Sequence, residues 1–305
     1  VKIHHALAPY SGPPLVVAIG FFDGYHLGHR EIVRALMRLR KPGHRAAVLT
    51  FRRHPAAFLR PGSEPPLIAT TEERINALDA AGVEELFLLP FDAAFASLSP
   101  QAFIDEVLHG TLRARAVVVG ENFRYGKARA GGVGDAAAQL ADLGIAFVAV
   151  PNLARDGARV SSSRIRAALL AGDVESANAL LGAPYAIEGC VELGAGRGHD
   201  LSFPTANLAV RPEKLLPQDG VYAVVARYDG RDYRGLVSIG TNPTFDGTAR
   251  TVEVWMLDFN RSIYGESLTI RDLRFVREQR RFASVDELRE QMNADAAHAS
   301  FPTLL

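Results

Sequence analysis

Residues Gly20 to His29 read GFFDGYHLGH. They follow the apolar run Leu15–Ile19, which reads as a buried strand, and lead into His29–Lys41, where apolar residues recur at helical spacing. Gly24 and Gly28 let the backbone turn tightly and approach a ligand closely. The helix that follows offers free N–H groups and the positive end of its dipole to an anion. Gly20, Phe22, Asp23, Gly24 and Gly28 are therefore candidate contacts to a phosphate group, with Asp23 able to hold the loop or a metal. His26 and His29 can donate hydrogen bonds to phosphate oxygens and stabilise charge that builds up during transfer. A plain turn with two solvated histidines is the competing reading. Two histidines and two glycines at one strand-to-helix junction favour the ligand site.

The pattern around this segment repeats. Ala46–Phe51, Glu85–Leu89, Ala116–Val119 and Ile145–Val150 read as buried strands, and Thr71–Ala81, Pro100–His109 and Val133–Leu143 as helices. Ser99 followed by Pro100 is a helix start, the serine capping and the proline at the first helical position. Alternating strand and helix implies a parallel sheet with helices on its faces. Ligands then sit at the carboxyl ends of the strands, where Gly20 falls.

After Gly182–Pro184 the pattern changes to strand and turn. Tyr185–Leu193, Val221–Tyr228, Tyr233–Ile239, Thr251–Asp258 and Ser267–Val276 are strand candidates, with Asp229–Gly230 a hairpin signal. This spacing suggests a small antiparallel barrel. Ser284 opens a final helix to about Ala297, with Glu287 as its capping-box partner. The expected domains are 1–183 and 184–305.

The chain has 305 residues, 48% of them hydrophobic, and Lys plus Arg equals Asp plus Glu at 34 each. That balance gives no electrostatic footprint for nonspecific nucleic-acid binding, which calls for a basic surplus, and leaves a local basic patch as the alternative. No run approaches the roughly 20 apolar residues of a membrane helix, and the first residues, VKIHHALAPYSG, lack the pattern of a secretion signal. The single cysteine, Cys190, excludes an intrachain disulfide and fits a reducing, cytoplasmic setting. It reads as a small apolar filler in a strand.

In the second half, Gly194, Gly196, Arg197 and Gly198 belong to a loop whose N–H groups could cradle phosphate. Phe203 and Pro204 lead into Thr205 and Asn207, which face one way in an extended segment. A hydroxyl and an amide oxygen are hard ligands suited to Mg²⁺ with ATP phosphates; an ordinary turn is the alternative. Between Gly120 and Lys127 the spacing superficially suggests a Walker loop. Five residues separate Gly120 from Gly126, and Ala128 stands where Ser or Thr is required, so it is none.

The segment Gly20–His29 resembles the HxGH nucleotidyltransferases, and more closely their flavin-adenylylating branch, with its GxFDGxHxGH pattern. Thr50–Phe51 with His54–Pro55 resembles that branch's TFxxHP segment. The run from Gly120 through Asn122 and Arg124 to Gly126 resembles its flavin and nucleotide loop. The run Arg159, Ser161, Ser162, Ser163, Arg166 resembles its SSTxIR segment, with Ser163 in place of threonine. Gly194–Leu208 resembles the riboflavin kinase signature GxxxGRxLGFPTANL, with Ser202 in place of glycine, and matches continue to Arg277–Phe282.

The chain is thus similar to the prokaryotic bifunctional riboflavin kinase/FAD synthetases. The resemblance implies an α/β plus β fold: a Rossmann-like nucleotidyltransferase domain, then a small antiparallel Greek-key β-barrel with a C-terminal helix. It implies ATP, riboflavin, FMN and FAD as substrates and products, with Mg²⁺ as cofactor. These small molecules would be the partners, with no nucleic acid or membrane; transient self-association is compatible with it. Asn122 would hydrogen-bond a base, a ribose or a flavin edge. The serines would hold phosphate at a helix start, and Arg159 and Arg166 would neutralise the triphosphate. Glu253 falls where the family has its catalytic base. Alternation between Val252 and Val254 favours an outward strand residue at that position, whereas a barrel mouth would suit an inward carboxylate. Retention of only one activity, with Ser202 bearing on the kinase half, and a flavin-binding regulator without turnover remain as alternatives.

Overall fold

The computed structural model of the chain describes residues 1–192, 205–241 and 250–304. It divides into two compact units, Val1–Ser162 and Ser163–Leu305.

In the first unit, β1 (Lys2–His4), β2 (Leu15–Ile19), β3 (Arg45–Phe51), β4 (Glu85–Leu89), β5 (Ala114–Gly120) and β6 (Ala146–Val150) form one sheet in the order β1-β4-β3-β2-β5-β6. Every neighbouring pair is parallel. The helices are α1 (Leu27–Leu39), α2 (Ala56–Leu59), α3 (Thr71–Ala80), α4 (Ala93–Ser97), α5 (Pro100–Ala102) and α6 (Val133–Asp142). A π-helix, Phe103–Thr111, continues α5. A two-stranded ribbon, β7 (Ala154–Arg155) with β8 (Ala158–Arg159), follows β6.

Parallel strands are covered on both faces, so they are apolar at nearly every position. All five residues of β2 are buried. Val16 and Ala18 face a core shared with Val33 and Leu36 of α1 and Leu78 of α3. Val17 and Ile19 face the opposite core, with Ile104 and Val107 of the π-helix and Leu140 of α6. Ser99 accepts the Ala102 N–H at 3.0 Å, so the expected cap forms. The order of the strands reverses between β2 and β5, and a crevice at such a switch point is where open α/β sheets bind ligands. Gly20 lies at the carboxyl end of β2 and Gly120 at that of β5.

In the second unit, α7 (Ser162–Leu170) and α8 (Val174–Leu181) precede a closed barrel. Its strands are β9 (Ala186–Glu192), β10 (Thr205–Val210), β11 (Gly220–Tyr228), β12 (Arg231–Thr241), β13 (Arg250–Met256) and β14 (Ser267–Arg277), in the order β10-β13-β12-β11-β14-β9. β11, β12 and β13 are consecutive neighbours, and β10 lies beside β13, which is a Greek key. Asp229 and Gly230 join β11 to β12 with φ of 50° and 73°, the left-handed pair that a two-residue hairpin needs. The barrel interior is apolar: Leu208, Val237, Ile239, Val252 and Val254 are buried. Cys190 is exposed on β9, so it is not the apolar filler that its surroundings in sequence suggested. The last helix, α9 (Val285–His298), starts at Ser284, whose side chain accepts the Glu287 N–H. Glu287 reaches Ala283 N at 2.9 Å.

The amino end of the parallel sheet carries a charge network. Glu85, 1% exposed at the start of β4, accepts from Tyr10 Oη at 3.0 Å and Arg45 Nη1 at 2.6 Å, and lies 2.6 Å from His4 Nε2. The His4 ring stacks on Phe87 at 4.5 Å. Burial alone would raise the Glu85 pKa; hydrogen bonds from His4, Arg45 and Tyr10 outweigh it and hold the carboxyl below its usual range. The stability it contributes is therefore present above the ordinary glutamate pKa of about 4.3 and is lost as pH falls through the lower folded value. Glu85→Gln is expected to destabilise the first unit by about 1.5–3 kcal/mol at neutral pH. The gap between its melting temperature and that of the parent should close below about pH 4, as followed by calorimetry across a pH series.

Candidate functional site

The segment that links β2 to α1 folds into a tight turn. Gly24 takes φ 76°, and two residues that are not glycine share the left-handed region: Phe22 (φ 58°) and Tyr25 (φ 39°). Strain of this kind gathers at ligand sites. The helix starts two residues earlier than its apolar spacing suggests, because His26 is the N-cap: its Nδ1 accepts the His29 N–H at 3.3 Å. The two imidazoles stack with centroids 3.7 Å apart and planes 15° apart. Gly28 makes this stack possible, since a Cβ there would meet His26 Cε1 at 3.2 Å.

His29 Nδ1 is buried with no partner among the described residues, which leaves it available to a ligand oxygen. Burial, then His26, then Arg74, push the His29 pKa well below its ordinary value. Phe22 is buried behind it, ring centroids 5.2 Å apart. The Asp23 carboxylate accepts the N–H groups of Ile68 at 3.2 Å and Ala69 at 3.0 Å. It thereby fastens the turn to the segment before α3.

Ser162 Oγ donates to the Asp23 carbonyl at 3.1 Å across 139 residues. The start of the serine segment thus meets the histidine turn. Ser161 is half-buried beside it, and Arg159 is exposed on β8. Ser163 and Arg166 lie three residues apart on α7, the first exposed and the second half-buried. Beyond β5, Asn122 and Arg124 line a cleft of ≈ 310 Å³ at the start of α6, together with Gly132, Gly134 and Asp135.

Sequence reasoning missed two features here. One is Arg74, 2% exposed on α3, which donates to the carbonyls of Phe21, Phe51 and Arg52 at 2.8, 3.1 and 3.2 Å. Its guanidinium lies 4.2 Å over the Phe21 ring. The available signal was its place one helical turn before the buried Leu78, where an apolar residue is expected. The other is an aromatic cluster after β3 and β4: Phe51, Phe58, Phe91 and Phe95, with neighbouring centroids 5.0–6.1 Å apart. Phe58 and Leu59 are 44% and 54% exposed just after His54–Pro55. This leaves an apolar platform facing solvent.

In the barrel, cross-strand register lines up the second set of residues. Asn207 of β10 is opposite Glu253 of β13, and Glu253 is opposite Ser238 of β12. Directly opposed residues share a face, so the amide, carboxylate and hydroxyl form one row. Thr205 lies on the same face, opposite Trp255. Buried Val252, Val254 and Met256 alternate with half-buried Thr251, Glu253 and Trp255. Glu253 therefore lies on the face opposite buried Val252 and Val254, as alternation suggested. This outer face is partly covered. Trp255 packs with Leu236, Val221, Ala296 and Phe301. Gln279 Nε2 donates to Ser238 Oγ at 2.8 Å. Arg277 Nε donates to Asp295 of α9 at 2.9 Å, anchoring that helix. Gly194, Gly196, Arg197, Phe203 and Pro204 lie outside the described residues, as does Ser202.

The His29 ring is expected to stay neutral through the physiological range. Burial first, then His26 and the Arg74 guanidinium, disfavour its charged form, so its ring resonances should not move between about pH 8 and pH 6.5. An NMR titration in which His29 protonates near the ordinary histidine value would contradict this.

Family models and relatives agree with the two-unit layout. A model described as FAD synthetase matches residues 10–164, and one described as riboflavin kinase matches residues 181–301. A bifunctional riboflavin kinase/FMN adenylyltransferase from Bacillus subtilis (strain 168) is 39% identical over 300 residues, covering 97% of this chain and 94% of the relative. One of the same description from Escherichia coli (strain K12) is 33% identical over 290 residues, covering 94% and 92%. A crystal structure described as a macrolide-efflux protein from Streptococcus pneumoniae superposes with a TM-score of 0.87 at 34% identity, covering 97% of this chain and 98% of that one. Among the described residues no helix here is long and apolar enough to cross a membrane. With both halves matched and relatives aligned over nearly the whole length, the chain belongs to the bifunctional riboflavin kinase/FMN adenylyltransferase family.

Proposed function

We propose that residues 1–183 convert FMN and ATP to FAD and pyrophosphate, and that residues 184–305 phosphorylate riboflavin with ATP to give FMN. The family supports both activities. The observation that carries the residue assignment is the stacked His26–His29 pair, with its unpartnered ring nitrogen, at a helix start beside the sheet's switch point.

In the first step, a carboxylate takes the proton of the riboflavin 5′-hydroxyl as its oxygen attacks the γ-phosphorus of ATP, and ADP leaves. Glu253 is suited to this base role by its half-buried position next to Asn207 and Ser238. The donor set fits Mg²⁺: a hydroxyl, an amide oxygen and a carboxylate are hard oxygen ligands. Among the described residues no cluster of three or more acidic, histidine or cysteine side chains forms an all-protein cage. Thr205 and Asn207 would hold the ion in company with nucleotide phosphates, where it neutralises their charge.

In the second step, an FMN phosphate oxygen attacks the α-phosphorus of ATP and pyrophosphate leaves. His26 and His29 donate hydrogen bonds to phosphate oxygens, and a neutral His29 does so without carrying charge of its own. Gly20, Gly24 and Gly28 let the backbone come close. Phe22 and Asp23 serve by shaping the turn. Arg159, Ser161, Ser162, Ser163 and Arg166 are assigned to the phosphates, and Asn122 and Arg124 to the flavin or base edge. The exposed Phe58 platform suits an isoalloxazine ring. ATP as common substrate supports a cytoplasmic setting, and small molecules suffice as partners.

Incubation with riboflavin, ATP and Mg²⁺, followed by chromatography of the flavins, tests the scheme. Glu253→Ala should slow FMN formation by about 10²–10⁴-fold and leave FMN-to-FAD conversion intact. His29→Ala should slow that conversion by about 10²–10³-fold and leave FMN formation intact. Joint loss in either variant, or no flavin conversion by the parent chain, would sink the two-site scheme.

A further inference from the structure

Arg74 stands outside every motif that carries the family resemblance. It is nonetheless among the largest fully buried side chains of the chain. Its acceptors are uncharged: the carbonyls of Phe21, Phe51 and Arg52, with longer contacts to the hydroxyls of Thr50 and Thr71 at 3.4 and 3.3 Å. Thr50 Oγ1 itself donates to the Phe21 carbonyl at 3.3 Å. One guanidinium therefore joins the first residue of the strained turn to the carboxyl end of β3. The same Phe21 ring meets His54 edge-on at 4.8 Å, so the His54–Pro55 segment is tied in as well.

The start of α3 fixes Arg74 in turn. Thr70 and Glu73 form a capping box, with bonds of 3.2 and 2.6 Å, immediately before it. Asp23 holds Ile68 and Ala69 just upstream. The turn and α3 are thus cross-braced twice, by a carboxylate running one way and a guanidinium running the other. The Arg74 Nε is buried with no acceptor among the described residues.

We infer that Arg74 is a positioning residue for adenylyl transfer: it clamps the turn from Phe21 to Tyr25 so that His26 and His29 meet the phosphates in register. This rests on the proposed role of the two histidines. Arg74 touches no substrate in this account; it acts through the turn. Its charge also bears on His29, whose charged and titratable surroundings among the described residues are His26, the N-cap of α1, and Arg74 on α3. Asp23 and Glu72 act on Arg74, and burial lowers the Arg74 pKa only to about 10, so it remains a cation at neutral pH. Position and charge can be separated. Lysine keeps the charge and loses the fork; methionine loses both.

The test uses the full chain with Arg74→Lys and Arg74→Met, each assayed for both reactions. For FMN adenylylation both variants should lose at least about tenfold in kcat, with KM for ATP changing far less. Riboflavin phosphorylation by the same preparations should keep its parent rate. Amide hydrogen exchange across residues 21–25 should speed up in both variants while β2 stays protected. The His29 titration should move up in Arg74→Met and stay low in Arg74→Lys, a difference that a merely structural role would not produce. Parent-like kcat in both variants would overturn the inference. So would a loss of kcat that only follows the unfolded fraction seen by near-ultraviolet circular dichroism. If His29→Ala itself leaves FAD formation intact, the histidine reading fails, independently of what Arg74 does.

Discussion

The first unit depends on one electrostatic compromise. A cation is held out of water at Arg74 and satisfied by backbone carbonyls that a parallel sheet presents at its carboxyl end. Two residues in the left-handed region, Phe22 and Tyr25, cost about 1–3 kcal/mol each. Hydrogen bonds from a charged donor contribute about 1.5–3 kcal/mol each, and three of the Arg74 bonds are 3.2 Å or shorter. The clamp is therefore of the same order as the strain it opposes. The glycines supply room, but the shape of the turn comes from what grips it.

The two sites are built on different physics. The site proposed for adenylyl transfer uses a loop and a helix start, so its geometry needs bracing from residues distant in sequence, such as Asp23 with Ile68 and Ser162 with Asp23. The residues proposed for phosphoryl transfer stand on strands, where register alone brings Asn207, Glu253 and Ser238 side by side. Backbone pairing does there what side-chain bracing does in the first unit.

This difference explains what could be read from the chain. The strand Leu15–Ile19 was legible to the residue because both its faces are buried and all five positions are apolar. Five of the six barrel strands were legible as short strand-and-turn units, while β10 was read only as an extended segment carrying Thr205 and Asn207. Helix α1 was read two residues late because its cap is a histidine, whose ring nitrogen replaces the usual serine or aspartate oxygen. β1 escaped notice because three residues, two of them polar, carry no periodicity. Helices α7 and α8 were passed over as well, though the serine segment was read as the start of a helix. Arg74 was overlooked because a basic residue in a helix normally marks the solvated side, which outweighs the hint of its place one turn before Leu78.

The row across β10, β13 and β12 has a consequence for how the barrel reaches its native pairing. A slip of one residue turns every side chain on a strand to the opposite face. In β13 that would drive Glu253 into the space filled by Val237 and Ile239, and bring Val252 and Val254 out to water. An unpaired carboxylate in hydrocarbon is among the costliest errors that a chain can make. The polar residues proposed for phosphoryl transfer thus double as proofreaders of assembly, since a barrel that closes out of step must bury them.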